Sequence, residues 1–320
     1  MKKNINLFES CREVKWCPGC GNYAILRSMQ KTMHSLGIPS EKVVFVSGIG
    51  CSGRFPYYIN TYGFHTLHGR APSVVTGLRS VRSDLIIWLV VGDGDGFSIG
   101  LSHILHMVRR NINVNVLFIN NKVYALTKGQ YSPTSDRGFV SKSSPYGSIE
   151  NPINPLLMVL SAGCSFVARA IDSDAKNLRS VIVDAMNHQG TSFIEVLQNC
   201  NIFNNAVYSK LVDVETKYDR LLYLKNGEKL VFGKENSLSL GLSKKMDFEV
   251  CQNDDVNYNL PIHDTTDINI LQLMLSKLSY SDIPFPVGIF RCVKHRVFND
   301  EHVSLDAKSK KINKFSDLFL

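Results

Sequence analysis

The chain has 320 residues, a formal charge of +8, 44% hydrophobic and 20% charged residues, and eight cysteines. That length buries a substantial core, as one large domain or two modest ones, and the composition is that of a soluble globular protein. It excludes a disulfide scaffold, for which the cysteines are too few, and a membrane span, because the longest apolar run (85–91) is about a third of one. The start, MKKNINLFES, has no apolar stretch after its lysines, so a cytoplasmic protein is expected. No basic run or dense basic helix accompanies the charge, which favours an acidic protein or anionic substrate over nucleic acid.

Residues 22–36 carry helical periodicity, and Gly37-Ile38-Pro39 stops it. Residues 42–47 (KVVFVS) form a short β-branched run, and 85–91 (LIIWLVV) a continuous apolar run suited to a fully buried parallel strand. A helix is predicted over 98–109, a buried strand over 114–120, helices over 154–162 and 174–188, and a strand over 193–197. This alternation predicts an α/β fold, a doubly wound and mainly parallel sheet with helices on both faces. We divide the chain into an α/β domain over 1–205 and a C-terminal extension over 206–320. In the extension, 217–259 is polar and reads as an irregular excursion with a small hairpin around Lys225-Asn226-Gly227. A further helix is expected over 267–278, and 283–290 (IPFPVGIF) reads as a docking segment or edge strand. The charged tail from Lys294 is expected to be mobile or to bind a partner.

Two cysteines stand out in WCPGCG. Cys17-Pro18-Gly19-Cys20 suits a redox disulfide, half of a zinc site, or two ligands of an iron–sulfur cluster. Cys11, Cys164, Cys251 and Cys292 lie in plain contexts and are expected to be buried small hydrophobes. His103 and His106, one helical turn apart, are expected to be packing residues rather than a metal pair.

The strongest chemical signal is VVGDGDGFSIG, residues 90–100, where a buried strand runs into Gly-Asp-Gly-Asp-Gly and then a helix. Ligands bind beyond the carboxyl ends of strands in such sheets, and glycines there let backbone approach a phosphate. Neither the dinucleotide fingerprint nor the P-loop fits. Aspartates facing a diphosphate need a cation between, so Asp93 suggests Mg²⁺. The next buried strand ends at Asn120-Asn121, 28 positions after Asp93. The side-chain oxygen of Asn121 and the carbonyl of Val123 could complete the shell.

This Gly-Asp-Gly … Asn-Asn pattern resembles the thiamine diphosphate motif. The wider sequence resembles the β subunit of the two-subunit 2-oxoacid:ferredoxin oxidoreductases. The matching stretches are WCPGCGNYAILR (16–27), VSGIGCSGRFPYYINTYGFHTLHGRAP (46–72), VVGDGDGFSIG (90–100), RRNINV (109–114), NNKVYALTKGQYSPTS (120–135), NPINPL (151–156) and EVLQNCNIFN (195–204). RFPYYINTYG and QNCNIFN point to the 2-oxoglutarate branch. One departure is Ala125, where the family often has glycine; a positive φ there would cost about 1 kcal/mol or more.

The resemblance implies the diphosphate module of the thiamine diphosphate-binding fold, and a 4Fe–4S cluster held by Cys17, Cys20, Cys51 and Cys200. A zinc Cys₄ site would use the same ligands but leave electrons no outlet. A thioredoxin-like pair is disfavoured because Pro18-Gly19 opens no helix. The implied reaction is CoA-dependent oxidative decarboxylation of 2-oxoglutarate to succinyl-CoA and CO₂, with electrons passing to ferredoxin. With a ferredoxin of low enough potential it can run backwards. Asp93, Asn121 and Val123 would hold Mg²⁺, and Gly94 and Asp95 would meet the diphosphate. Ile49, Gly50, Cys51, Ser52, His65, His68 and Gly69 would line the cofactor, with Leu126 pressing on it and Thr127 nearby. Lys128 and Arg54 are candidates for the substrate's second carboxylate. The glutamate that activates the aminopyrimidine would come from an α subunit, in an αβ or α₂β₂ assembly, so this chain alone should be inactive. Rival readings are a pyruvate or branched-chain 2-oxoacid enzyme on the same scaffold, and a zinc-stabilised basic binding protein.

Overall fold

The structure is a computed structural model that describes residues 7–253, 255–279 and 284–309. In chain order, the first elements are helix α1 (Asn22–Ser35), strand β1 (Val43–Ser47), the single turn α2 (Phe55–Tyr58), β2 (Tyr62–His65) and α3 (Ala71–Val81). Strand β3 (Ile86–Gly92) leads into a short α4 (Asp93–Phe97), then α5 (Leu101–Arg109) and β4 (Val114–Asn120). Next come α6 (Pro155–Ser161), β5 (Phe166–Ile171), α7 (Ala175–Asn187) and β6 (Thr191–Leu197). Two turns, α8 (Ser209–Val212) and α9 (Lys217–Arg220), precede β7 (Leu221–Leu224), β8 (Val231–Phe232), β9 (Leu238–Leu242) and β10 (Phe248–Gln252). The last elements are α10 (Ile270–Lys277), β11 (Phe285–Cys292) and α11 (Phe298–Ser309).

The main sheet has eight strands in the order β2-β1-β3-β4-β6-β5-β11-β7. Strands β1 to β6 run parallel, while β11 lies antiparallel to β5 and carries β7 parallel to itself. Strands β1, β4, β5 and β6 are buried along their whole length, as continuous apolar strands covered on both faces must be. One face packs Ile25, Met29 and Met33 of α1 with Leu178 and Ile182 of α7 against Phe45 and Trp88. The other packs Val75, Ile104, Val159 and Leu275 of α3, α5, α6 and α10 against Leu89, Val116 and Phe193. Asn154, Asp174 and Asn269 cap α6, α7 and α10 by accepting from the third backbone N–H beyond them. The doubly wound, mainly parallel sheet is thus as expected. No helix among the described residues is long and apolar enough to cross a membrane.

Several expectations need correction. The helix over 98–109 begins only at Leu101, because Ser98 breaks away from α4 (φ −99°, ψ −107°). Gly100 packs against the Asp95 carbonyl, where an added Cβ would sit 2.5 Å from that oxygen, so the chain turns here. The excursion over 217–259 is not irregular: β8, β9 and β10 form an antiparallel sheet. Lys225-Asn226-Gly227 does not close a hairpin, since β7 pairs with β11. Strand β11 is interior rather than an edge; β7 takes the edge. Ile283, the first residue of that segment, and the tail from 310 lie outside the described residues. The part of the tail that is described forms α11. Residues beyond 205 therefore supply two strands of the main sheet. Cys164 and Cys251 are buried, but Cys11 is exposed and Cys292 only half-buried beside His188. His106 is exposed and His103 half-buried against the Arg70 guanidinium, so neither packs in a core.

Candidate functional site

The carboxyl ends of β1, β3, β4 and β6 converge on one rim. A cavity of about 1220 Å³ opens there. Asp93 and Gly94 begin α4 directly after β3, and Asn121 and Val123 follow β4; all four line the cavity. Ile49, Gly50, Cys51 and Ser52, from the loop after β1, form the opposite wall. His68, Asp95, Leu126 and Thr127 complete what the sequence predicted for it.

Asp93 is 3% exposed. Its Oδ2 accepts from Ser132 Oγ at 2.5 Å and Thr134 Oγ1 at 2.8 Å. Burial pushes its carboxyl up, and these neutral hydroxyls only partly offset that. The same Thr134 hydroxyl, sharing its one proton, also faces Asn120 Oδ1 (3.0 Å), whose amide donates to Glu195 (2.8 Å), which pairs with the buried Arg169 at 2.7 Å. A polar chain thus runs back from Asp93 into the sheet. Asn121 is fixed from both ends: its Oδ1 accepts from Val123 N–H (3.2 Å) and its Nδ2 donates to Gln198 Oε1 (3.0 Å). Asp95 organises the opposite wall. Its Oδ1 accepts from the backbone N–H groups of Ile49 (3.0 Å) and Gly69 (2.8 Å) and meets His68 Nδ1 at 2.7 Å, while its buried Oδ2 has no partner among the described residues.

Close backbone approach shapes the cavity. A Cβ on Gly48 would sit 1.8 Å from Asp95 Oδ2, and one on Gly94 would sit 2.1 Å from the Tyr124 ring, whose hydroxyl donates to the Gly94 carbonyl at 2.9 Å. Ala125 has no positive φ, so its extra methyl group introduces no backbone strain.

Beside the cavity lie the four predicted thiols. Cys17 is exposed, Cys20 and Cys51 are half-buried and Cys200 is buried. Burial pushes the Cys20 thiol up to about 12, with Cys51, Cys200 and Cys17 adding to the effect. Burial likewise raises Cys51 to about 11, with help from Cys200 and Cys17. Contacts between their segments bring the four into one neighbourhood, since the 17–21 loop meets residues 199 and 201 and Trp16 meets Cys51, and Cys51 also lines the cavity. All eight cysteines are free thiols, so Cys17 and Cys20 form no disulfide. Among the described residues, no three His, Cys, Asp or Glu side chains converge as a single metal ion requires. The loop of residues 17–21 is docked on the end of β6: Asn201 Nδ2 donates to the Pro18 carbonyl at 2.5 Å, and Gly21 N–H to the Asn199 carbonyl at 3.3 Å. Trp16 Nε1 donates to the Cys51 carbonyl at 2.7 Å.

Four predicted residues stand apart from the cavity wall. His65 turns to the Tyr57 hydroxyl (2.8 Å), and Gly69 stands behind Asp95. Arg54 donates to the Lys15 carbonyl (3.3 Å), and Lys128 is exposed with a left-handed φ of 83°. Reading the sequence missed Ser132, Thr134 and Gln198, which hold the candidate ligands. Glu150 is the one glutamate among the described residues lining the cavity; it accepts from the Tyr131 hydroxyl at 3.2 Å on the exposed rim.

A parallel sheet whose Gly-Asp turn and Asn pair close one cavity is the architecture of thiamine pyrophosphate enzymes. Residues 48–196 match the family described as "Thiamine pyrophosphate enzyme, C-terminal TPP binding domain". The chain is 45% identical over 296 residues to 2-oxoglutarate oxidoreductase subunit KorB of Mycobacterium tuberculosis, covering 92% of this chain and 79% of that protein. It is 37% identical over 235 residues to 2-oxoglutarate synthase subunit KorB of Methanothermobacter thermautotrophicus, covering 72% and 77% respectively. In structure it is similar to the 2-oxoglutarate:ferredoxin oxidoreductase from Magnetococcus marinus with 2-oxoglutarate, coenzyme A and succinyl-CoA bound. The TM-score there is 0.76 at 32% identity, over 95% of this chain and 93% of that one. The chain belongs to the β-subunit family of the 2-oxoacid:ferredoxin oxidoreductases.

Proposed function

We propose that this chain is the β subunit of a 2-oxoglutarate:ferredoxin oxidoreductase, acting with an α subunit in the cytoplasm, where free thiols stay reduced. The observation that carries the reading is that Cys51 belongs both to the cavity wall and to the four-thiol neighbourhood. An electron source and an electron outlet would then share a wall.

The residues fit the groups the family implies. Asp93 is a buried carboxylate held only by neutral donors, Asn121 offers a fixed amide oxygen, and Val123 a carbonyl; this donor set suits Mg²⁺. The glycine-lined approach at Gly48 and Gly94 leaves backbone room for a diphosphate. Thiamine diphosphate supplies carbanion chemistry for decarboxylation when bound. This chain's part is to bind and orient it: Asp93 and Asn121 through the cation, and the Asp95-braced loop at Ile49–Ser52 as a wall. Four thiolates are what a 4Fe–4S cluster requires, whereas a zinc ion on the same four would leave electrons from the cavity no outlet. Lys128 and Arg54 stand off the cavity wall in this chain, so their pairing with a substrate carboxylate rests on closure by the α subunit. That subunit would also supply the activating glutamate.

The test is anaerobic reconstitution with the α subunit. The expected protein is brown, with about four iron and four sulfide per chain, and reduces ferredoxin with 2-oxoglutarate and CoA. A clear pyruvate preference would sink the substrate assignment, and a colourless protein holding one zinc would sink the cluster.

A further inference from the structure

Gln198 is the residue directly after β6, and it is wholly buried. Its backbone N–H donates to the Asn120 carbonyl at 2.9 Å, joining the ends of β6 and β4. Its side chain spans the gap between the two candidate centres. Oε1 accepts from Asn121 Nδ2 at 3.0 Å, and Nε2 donates towards Cys20 Sγ at 3.5 Å and to the Asn199 carbonyl. One carboxamide therefore touches both the Asn121 amide and the Cys20 sulfur.

The neighbours determine which way this amide faces. Asn121 Oδ1 already accepts from Val123 N–H, so Asn121 presents its NH₂ group to Gln198. The other end of Gln198 meets only acceptors, a sulfur and a carbonyl oxygen. A flipped amide would set oxygen against oxygen and NH₂ against NH₂, losing each bond. The Gln198 N–H on Cys20 is thus a consequence of the Asn121 orientation. The backbone N–H of Asn22 also donates to the Cys20 sulfur.

From this geometry we propose that Gln198 is a positioning residue that couples occupancy of the Mg²⁺–diphosphate site to the reduction potential of the cluster. The proposal rests on the cofactor and cluster assignments above and adds a link between them. Hydrogen bonds to cluster sulfurs raise the potential. A cation on Asn121 Oδ1 fixes the Asn121 amide, polarises its N–H groups and strengthens the bond chain through Gln198 to Cys20. The cluster then accepts an electron more readily when the cofactor is in place. By linkage, reducing the cluster tightens cofactor binding by the same factor. The partner that holds a metal ligand in place typically contributes about 10–100-fold to metal affinity, which is the scale expected at Asn121.

The test is a redox titration followed by electron paramagnetic resonance on the reconstituted αβ complex, with and without Mg²⁺–thiamine diphosphate. In the wild type, adding the cofactor raises the reduced-to-oxidised ratio at fixed potential by up to about tenfold, or about 59 mV for a one-electron couple. Gln198→Met removes both bonds: the cofactor-dependent shift disappears, and cofactor affinity by calorimetry falls about tenfold or more. Gln198→Glu keeps an oxygen for Asn121 but sets a carboxylate against the sulfur, so the cluster potential falls while affinity stays within a few fold. An equal wild-type potential with and without cofactor overturns the proposal, and this comparison needs no variant. An undiminished shift in Gln198→Met overturns it too. Iron and sulfide analysis separates the two failures: a wild type without a cluster takes down the cluster assignment itself, whereas a loaded but uncoupled cluster takes down only the link.

Discussion

Replacing Asp93 by asparagine separates the carboxylate's charge from its shape. In the apo chain two opposing effects of about 1–3 kcal/mol meet. The buried carboxylate no longer has to be held ionised, which stabilises the fold, because burial had raised its pKa. Against this, the backbone N–H of Gly94 loses a carboxylate oxygen as acceptor, while Ser132 and Thr134 keep an amide oxygen to donate to. Urea unfolding of the apo chain should therefore shift by no more than about 1 kcal/mol in either direction. Cofactor binding is expected to respond very differently. Removing one side of a buried charge pair costs about 3–5 kcal/mol, or about two to four orders of magnitude in affinity. Calorimetry of Mg²⁺-dependent thiamine diphosphate binding to the αβ complex measures this. An Asp93→Asn complex that binds within threefold of wild type refutes the cation role. A loss of several kcal/mol in apo stability would show instead that Asp93 serves the fold.

Gly48→Ala should displace Asp95, because the new Cβ would lie 1.8 Å from Oδ2; overpacking costs about 1–3 kcal/mol, and cofactor affinity should fall as Ile49 and Gly69 lose their acceptor, with unchanged calorimetry counting against the Asp95 brace. Ala125→Gly should lower stability by about 0.4–1 kcal/mol through unfolded-state entropy alone, since φ at Ala125 is not positive; a gain in thermal midpoint would contradict this. Burial, with His295 adding to it, lowers His188 from 6.5 to about 4. Between those values the unfolded chain binds the proton and the fold does not, so stability should rise with pH across the window and be flat above it. The contribution lost by pH 4 is about 3 kcal/mol; urea midpoints in His188→Gln, compared with wild type from pH 4 to 7.5, should show a shallower acid dependence.

How much of this could be read from sequence depended on how far apart the cooperating residues lie. Strand β4 was predicted residue for residue, because a strand buried on both faces has to be apolar throughout. The Gly-Asp turn and the Asn pair could be placed because each directly follows such a strand. Strand β5 is just as buried but carries Arg169, whose charge is matched by Glu195 on the neighbouring strand, and so no apolar run marked it. Strand β2 has four exposed residues at the sheet edge, too short and too open for periodicity to detect. The three-stranded sheet escaped notice because its strands are only two to five residues long and share no burial pattern that a periodicity could mark. Ser132, Thr134 and Gln198 reach their partners across 39, 41 and 178 positions, distances that no local pattern encodes.

The same long closures explain why the thiol neighbourhood belongs to the fold rather than to a motif. Cys51 follows the end of β1, Cys200 the end of β6, and Cys17 and Cys20 lie in a loop ahead of α1. That loop touches the sheet through Asn199, Asn201 and the Trp16–Cys51 bond, and Asp172 Oδ2 holds Asn199 N–H at 2.8 Å. A Cβ on Gly21 would lie 1.8 Å from that same carboxylate oxygen, so the loop can sit here only because residue 21 has no side chain. The four thiols therefore meet only after the sheet has closed and the loop has docked. Binding energy at such a site is also folding energy for the segments that build it. Cys200 is buried, Cys51 and Cys20 are half-covered, and Cys17 is open to solvent. Cys51 is the thiol of this set that also lines the cavity wall.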